Sequence, residues 1–199
     1  MLRKAPVFAA FALALSACSS ESPAEAPKGP LAEAVFAGGC FWCTEADFDK
    51  MPGVVSTTSG YTGGQLANPT YKKVTAGGTG HIEAVRVVYD PRKISYASLV
   101  QRFLRTIDVT DAGGQFCDRG ESYRPAIFVG SPQQRQASQA ALQAASKQIG
   151  KKTAVELLPA ARFWSAEGYH QDYYKKNPVR YKVYRWNCGR DQRLKQVWG

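Results

Sequence analysis

Five cysteines, Cys18, Cys40, Cys43, Cys117 and Cys188, carry the most reactive chemistry in this 199-residue chain. Cys40 is set apart by its surroundings, Gly38-Gly39-Cys40-Phe41-Trp42-Cys43-Thr44-Glu45. Before it, Ala34-Val35-Phe36-Ala37 reads as a buried strand; after it, Thr44 to Lys50 reads as a helix stopped at Met51-Pro52-Gly53. The two glycines let the backbone turn and leave Cys40 at the helix start. There the free N–H groups and the positive end of the dipole favour thiolate over thiol. A cysteine so placed, with aromatic walls beside it, is a candidate nucleophile. Its counterpart is an acid. In the alternating stretch His81 to Asp90, Glu83 shares the more apolar face with Val85 and Val87. Burial penalises the charged form, so this carboxyl is expected to hold its proton near neutrality.

The elements that must position these groups follow in chain order. Val54 to Tyr61 suits a strand, and Asn68 to Val74 a short helix with Pro69 in its first turn. His81 to Asp90 is the clearest strand. Ser95 caps a predicted helix through about Ile107, on the spacing of Leu99, Phe103 and Ile107. Asp108 to Ser122 is a long loop, and loops of that length tend to be functional. Tyr123 to Val129 is the next strand. Ser131-Pro132 opens a helix to about Gln148, and Thr153 to Leu158 is a further strand. Ser165 is expected to cap a helix from Ala166 to Asn177, stopped by Pro178. The irregular loops argue against a doubly wound sheet and for an α+β sandwich, one sheet with helices packed on it.

Length allows one domain with a sizeable core. The net charge of +10 falls to +8 without residues 1–17, and Lys175 to Gly199 alone sets eight basic side chains against Asp191. Such a basic end reads as a solvated face rather than a nucleic-acid site. At the other end, Arg3-Lys4, the apolar run Ala5 to Leu15 and Ser16-Ala17-Cys18 form an export signal too short to span a bilayer. Leu15-Ser16-Ala17-Cys18 resembles a bacterial lipoprotein box, cut so that lipid is carried on Cys18. Residues 1–17 are thus read as signal peptide, 18–33 as flexible tether and 34–199 as the domain. The expected location is the bacterial cell envelope, lipid-anchored and facing the periplasm, with a secreted or soluble periplasmic protein as the alternative.

Disulfides persist in that compartment, so three readings compete for the other four cysteines. Cys40-Phe41-Trp42-Cys43 has the spacing of a thioredoxin-like pair. A zinc site would want a second close pair, which isolated Cys117 and Cys188 do not supply, so no metal is expected. Purely structural bridges are the third reading.

Gly39-Cys40-Phe41-Trp42, Gly60-Tyr61-Thr62-Gly63-Gly64, Asn68-Pro69-Thr70-Tyr71 and Thr79-Gly80-His81-Ile82-Glu83 resemble the A-type peptide methionine sulfoxide reductases. Tyr89-Asp90-Pro91, Ser122-Tyr123-Arg124 and Ala166-Glu167-Gly168-Tyr169-His170-Gln171 continue the pattern in the same order, from about Ala34 to Pro178. The resemblance implies a ferredoxin-like two-layer sandwich with a loosely structured C-terminal tail. It implies that Cys40 attacks the sulfoxide sulfur, that Glu83 protonates the departing oxygen, and that Tyr71 and Tyr123 hydrogen-bond that oxygen while Asp118 orders the site. Phe41 and Trp42 would hold the S-methyl group. Cys40 would be left as sulfenic acid, condensed by a resolving thiol and recycled by an external thioredoxin-like dithiol, with no other cofactor. Cys188 is the favoured resolving thiol, its thiolate stabilised by Arg185, Arg190 and Arg193; Cys43 and Cys117 are the alternatives. His81 and His170 are expected to be hydrogen-bonding scaffold. The implied partners are oxidised proteins and peptides, the reductant and a membrane reached through Cys18, with a monomer as the default. A CxxC thiol-disulfide oxidoreductase and an envelope-binding lipoprotein are the competing functions.

Overall fold

The computed structural model describes Met1 and residues 29–199; nearly all of the expected signal peptide, Cys18 and most of the expected tether lie outside the described residues. Its centre is a split βαβ repeat. Strand β1 (Ala32–Ala37) leads through helix α1 (Phe41–Phe48) to β2 (Val54–Thr62), which turns past the short α2 (Tyr71–Thr75) into β3 (Ile82–Tyr89). Helix α3 (Tyr96–Leu104) crosses back. A small hairpin, β4 (Gly114–Gln115) and β5 (Asp118–Arg119), and a 3-10 turn, Glu121–Tyr123, then lead into β6 (Ala126–Val129). These four main strands lie in the order β6-β1-β3-β2, every neighbouring pair antiparallel. That is the ferredoxin-like arrangement. Helix α4 (Pro132–Ile149) returns to β7 (Glu156–Pro159), which joins β6 in parallel, and β8 (Trp164–Ser165) extends the β2 edge.

The period-two reading of the strands explains where the core sits. Ala34, Phe36, Val85 and Val87 face α1, α3 and α4, where Phe48, Leu99, Phe103 and Leu142 meet them. Ala37, Ile82, Ala84 and Phe128 make a smaller core on the other face, with Leu158 and Phe163 against it. Strand β3 is therefore buried on both faces, and Glu83 points into the helical layer. Local caps act as the sequence expects: Ser95 accepts from Ser98 N–H, Ser131 accepts from Gln134 N–H, and Gly150 closes α4 in the left-handed region.

Four expectations change. Pro69 precedes α2, which is capped at Thr70. The long loop from Asp108 holds the β4–β5 hairpin, clamped by the fully buried Gln115, whose side chain bonds Asp108 N–H and O at 2.8 Å each. No helix runs from Ala166 to Asn177: Ser165 pairs with Gly60 in the sheet, Asp172 is left-handed, and only Tyr173–Lys176, α5, is helical. Pro178 then starts a helix instead of stopping one, because a first-turn residue needs no N–H. Helices α6 (Pro178–Asn187) and α7 (Arg190–Trp198), joined at left-handed Gly189, replace the loose tail. Three of their basic residues are tied to partners: Arg185 pairs with Asp47 and Asp191, Arg193 with Asp108, and buried Arg190 donates to Gly38 O and Thr106 O.

Candidate active site

Gly39 adopts φ +77° at the strand-to-helix elbow, and a Cβ there would meet the Gln115 Cβ at 2.4 Å. Only glycine allows both the turn and the hairpin's approach. The elbow leaves Cys40 as the N-cap of α1, 6% exposed, its carbonyl accepting from Cys43 and Thr44 N–H. Facing it from β3 is Glu83, 1% exposed, whose Oε2 accepts the Phe41 N–H at 3.0 Å. Burial pushes the Glu83 carboxyl up to about 8, against the Phe41 hydrogen bond and with help from Asp118, so it carries a proton at neutral pH. The expected proton-holding acid is in place.

The cysteine expectation is overturned in one respect. Burial, then Cys43 and the Glu83 and Asp118 carboxyls, push the Cys40 thiol well up, so the resting group is a thiol. The amide that would have stabilised a thiolate, Phe41 N–H, is spent on Glu83. Cys43, also buried and free, is the more acidic of the two: the neighbouring Cys40 thiol, with Arg190 and Arg185 assisting, draws it below its ordinary value against burial.

Around the pair stand the remaining predicted groups. Tyr71 and Tyr123, both half-buried, stand near Glu83, and burial and then the charge of its carboxylate hold both phenols above their ordinary range. Phe41 is buried among Tyr61, Tyr71 and His170, with ring centres 4.8–6.4 Å away. Trp42 stacks on Tyr173 at 3.7 Å and donates its indole N–H to His170 Nδ1 at 3.0 Å. Asp118, on the hairpin, accepts from the Tyr184 hydroxyl at 2.5 Å. A protonated acid, a buried thiol and two phenols therefore converge on one aromatic-walled spot, suited to removing an oxygen that must leave as hydroxyl.

Comparison with known proteins decides what that oxygen is attached to. The model of the family "Peptide methionine sulfoxide reductase" matches residues 32–199. The chain belongs to the peptide methionine sulfoxide reductases. A relative from Caulobacter vibrioides, "Peptide methionine sulfoxide reductase MsrA 2", is 53% identical over 191 residues, 95% of this chain and 96% of that one. Among solved structures, methionine sulfoxide reductase A of Corynebacterium diphtheriae is similar at TM-score 0.70 and 34% identity, over 75% of this chain and 76% of that one. Reduced Mxr1 from Saccharomyces cerevisiae is similar at TM-score 0.71 and 30% identity, over 75% and 87%. This reductase is of the A type, and it reduces methionine sulfoxide.

Two members of its predicted thiol set are found together elsewhere. Cys188 is disulfide-bonded to Cys117, across 71 residues of sequence, and the three arginines expected to activate it serve other partners. Both sulfurs lie within 4.8 Å of an Asp118 carboxylate oxygen, but joined to each other they offer no thiolate pair to a metal. His81 and His170 are scaffold, as expected: His81 accepts from Gly64 N–H and bonds Leu66 O at 2.8 Å, and burial holds His170 down toward the neutral form.

Two residues of this reductase were missed in the sequence. Glu167 accepts from the Tyr61 hydroxyl at 2.8 Å and from the Tyr71 N–H at 2.9 Å, and so fixes the start of α2 on the site. Its place in the Ala166 to Gln171 motif was the available signal. Tyr184 had none, because its contacts come only from how α6 packs.

Proposed function

We propose that the Cys40 sulfur attacks the sulfur of methionine S-sulfoxide while Glu83 protonates the oxygen, releasing methionine and leaving Cys40 as sulfenic acid. Tyr71 and Tyr123 direct their hydroxyls at the same oxygen, Phe41 and Trp42 contact the S-methyl group, and Asp118 orders the site. The observation that carries this assignment is a fully buried carboxyl on β3, hydrogen-bonded to the residue after the buried Cys40, where loss of solvation favours the protonated form. Plain disulfide exchange has no oxygen to protonate and no use for such an acid.

The sulfenic acid condenses with a second thiol, losing water. Cys43 is free and one helical turn on from Cys40, its N–H donating to Cys40 O at 3.1 Å, whereas Cys188 is engaged with Cys117. The favoured path is a relay: Cys43 or Cys188 captures Cys40, and the oxidising equivalents end on the Cys117–Cys188 pair. Cys117 is exposed and Cys188 partly so, which lets an external thioredoxin-like dithiol open their bond. The substrates are oxidised proteins and peptides, and the lipoprotein box assigns the enzyme to the bacterial envelope through lipid on Cys18.

One equivalent of a methionine sulfoxide peptide, followed by mass mapping, tests the scheme. Starting from the fully reduced enzyme, it should yield one methionine and one disulfide, trapped early as Cys40–Cys43 or Cys40–Cys188 and ending as Cys117–Cys188. Methionine formed by enzyme alkylated at Cys40 would remove Cys40 from the mechanism. Palmitate labelling that survives Cys18→Ala would remove the anchor.

A further inference from the structure

Trp42, the indole wall of the S-methyl pocket, is itself held by the chain from His170 to Lys175. That stretch meets one ridge of α1, formed by Trp42, Glu45 and Asp49, which are spaced three and four residues apart. At the first position Trp42 donates its indole N–H to His170 Nδ1 at 3.0 Å. Its ring lies flat on Tyr173, with centres 3.7 Å apart and planes 6° from parallel. At the last position Asp49 accepts from the Tyr174 hydroxyl at 2.7 Å and pairs with Lys175 at 2.9 Å. Between them Glu45, 1% exposed, accepts the Asp172 N–H at 3.0 Å across 127 residues of sequence. Asp172 stands at φ +53°, a left-handed conformation that a non-glycine residue keeps only where its surroundings hold it. The turn it makes lets the residues on both sides of it, His170 and Tyr173, reach the same indole. A carboxyl as buried as Glu83, on the helix that opens with Cys40, is thus spent on one backbone N–H.

We propose that Glu45 is a positioning residue that sets the enzyme's selectivity for a methyl sulfoxide, pinning Asp172 so that His170 and Tyr173 hold the Trp42 wall in place. The proposal rests on the reading above in which Trp42 contacts the S-methyl group. An indole fixed at its N–H edge and on its face cannot tilt, so the space beside it is cut to one methyl group. Released from either hold, the ring yields to a larger alkyl group, because a pocket is only as exact as the shell that supports its lining. Glu45 therefore acts through Trp42 and not on the reacting atoms. Burial, then the Asp172 and Asp49 carboxylates, push the Glu45 carboxyl up to about 7. In either protonation form an oxygen remains to accept from Asp172 N–H, so the hold needs an acceptor and not a charge.

Competition between methionine sulfoxide and its S-ethyl homologue, carried in the same peptide with dithiothreitol as reductant, gives the ratio of their kcat/KM values. The parent should favour methyl by about tenfold or more, the usual worth of one methylene in a fitted apolar pocket. Glu45→Leu removes the acceptor, and Glu45→Asp, a milder change, draws it back by one methylene. Both should lower that preference, Glu45→Leu by about fivefold. Glu45→Gln keeps an acceptor in place and should stay within about twofold of the parent. Tyr173→Leu releases the indole from the other end, and combined with Glu45→Leu it should add little to either change alone. A preference within about twofold of the parent in Glu45→Leu, or an unchanged one in Glu45→Asp where Glu45→Leu does not fold, overturns the proposal even if the overall rate falls. A uniform fall of that kind is what a merely structural role gives. Glu45→Gln as impaired as Glu45→Leu also overturns it, since charge and not the acceptor would then matter. An unaltered preference in Trp42→Ala would instead defeat the S-methyl assignment of Trp42, and this proposal with it.

Discussion

Glu83→Gln separates the two things a buried acid does, since it should slow the reaction and stabilise the fold. The amide keeps the shape and can still accept from Phe41 N–H, but has no acidic proton. Loss of a general acid costs about 10²- to 10⁴-fold in the methionine-forming step. The stability effect follows from the raised pKa. Native Glu83 titrates at about 8, the unfolded carboxyl at 4.5, so between those values the native state holds a proton that the unfolded chain has released. Wild-type stability must therefore fall as pH rises through that window. At about 1.4 kcal/mol per pH unit, the deficit reaches roughly 3 kcal/mol at pH 7. The glutamine variant is free of it and should melt about 6–12 °C higher at neutral pH, for a chain of this size. Below pH 4.5, where both states hold the proton, the two proteins should converge. Thermal unfolding from acid to neutral pH, beside single-turnover methionine assays, measures both effects. A variant no more stable at pH 7 than at pH 4, relative to wild type, would show that Glu83 is ionised in the fold and refute the acid's assigned role.

Other outcomes follow from the same contacts. Cys188→Ser should still form one methionine per enzyme but lose steady-state turnover with a thioredoxin-type reductant; unimpaired cycling would exclude Cys188 from the relay. Glu167→Gln weakens the hold on the Tyr61 hydroxyl and the Tyr71 N–H, and should raise KM with about 1–2 kcal/mol of stability lost, read by steady-state kinetics and denaturant unfolding. Arg190→Ala empties a fully buried site over the Phe116 ring and leaves Gly38 O and Thr106 O without their donor. A loss of about 3 kcal/mol or more is expected in urea unfolding.

What the sequence by itself determined is what short-range physics writes into it. The period-two pattern of β3 put Glu83 on the face it shares with Val85 and Val87, under the helices, Ser95 and Ser131 announced their helices, and Gly38-Gly39 announced the elbow that presents Cys40. Each signal acts within about four residues, so no knowledge of the rest of the chain is needed. The C-terminal elements were not legible in this way. Pro178 punctuates equally well as a stop or a start, and only the packing of α6 against the site selects the start.

Tertiary structure alone decided the chemistry between distant residues. The helix-start argument for a Cys40 thiolate is sound locally, but it failed because Glu83, 42 residues from Phe41, claims the amide and the surrounding core removes water. The Cys117–Cys188 bond and the Tyr184–Asp118 contact close loops of 71 and 66 residues. Such contacts depend on which faces meet once the sheet and both layers exist, and no local pattern encodes that meeting.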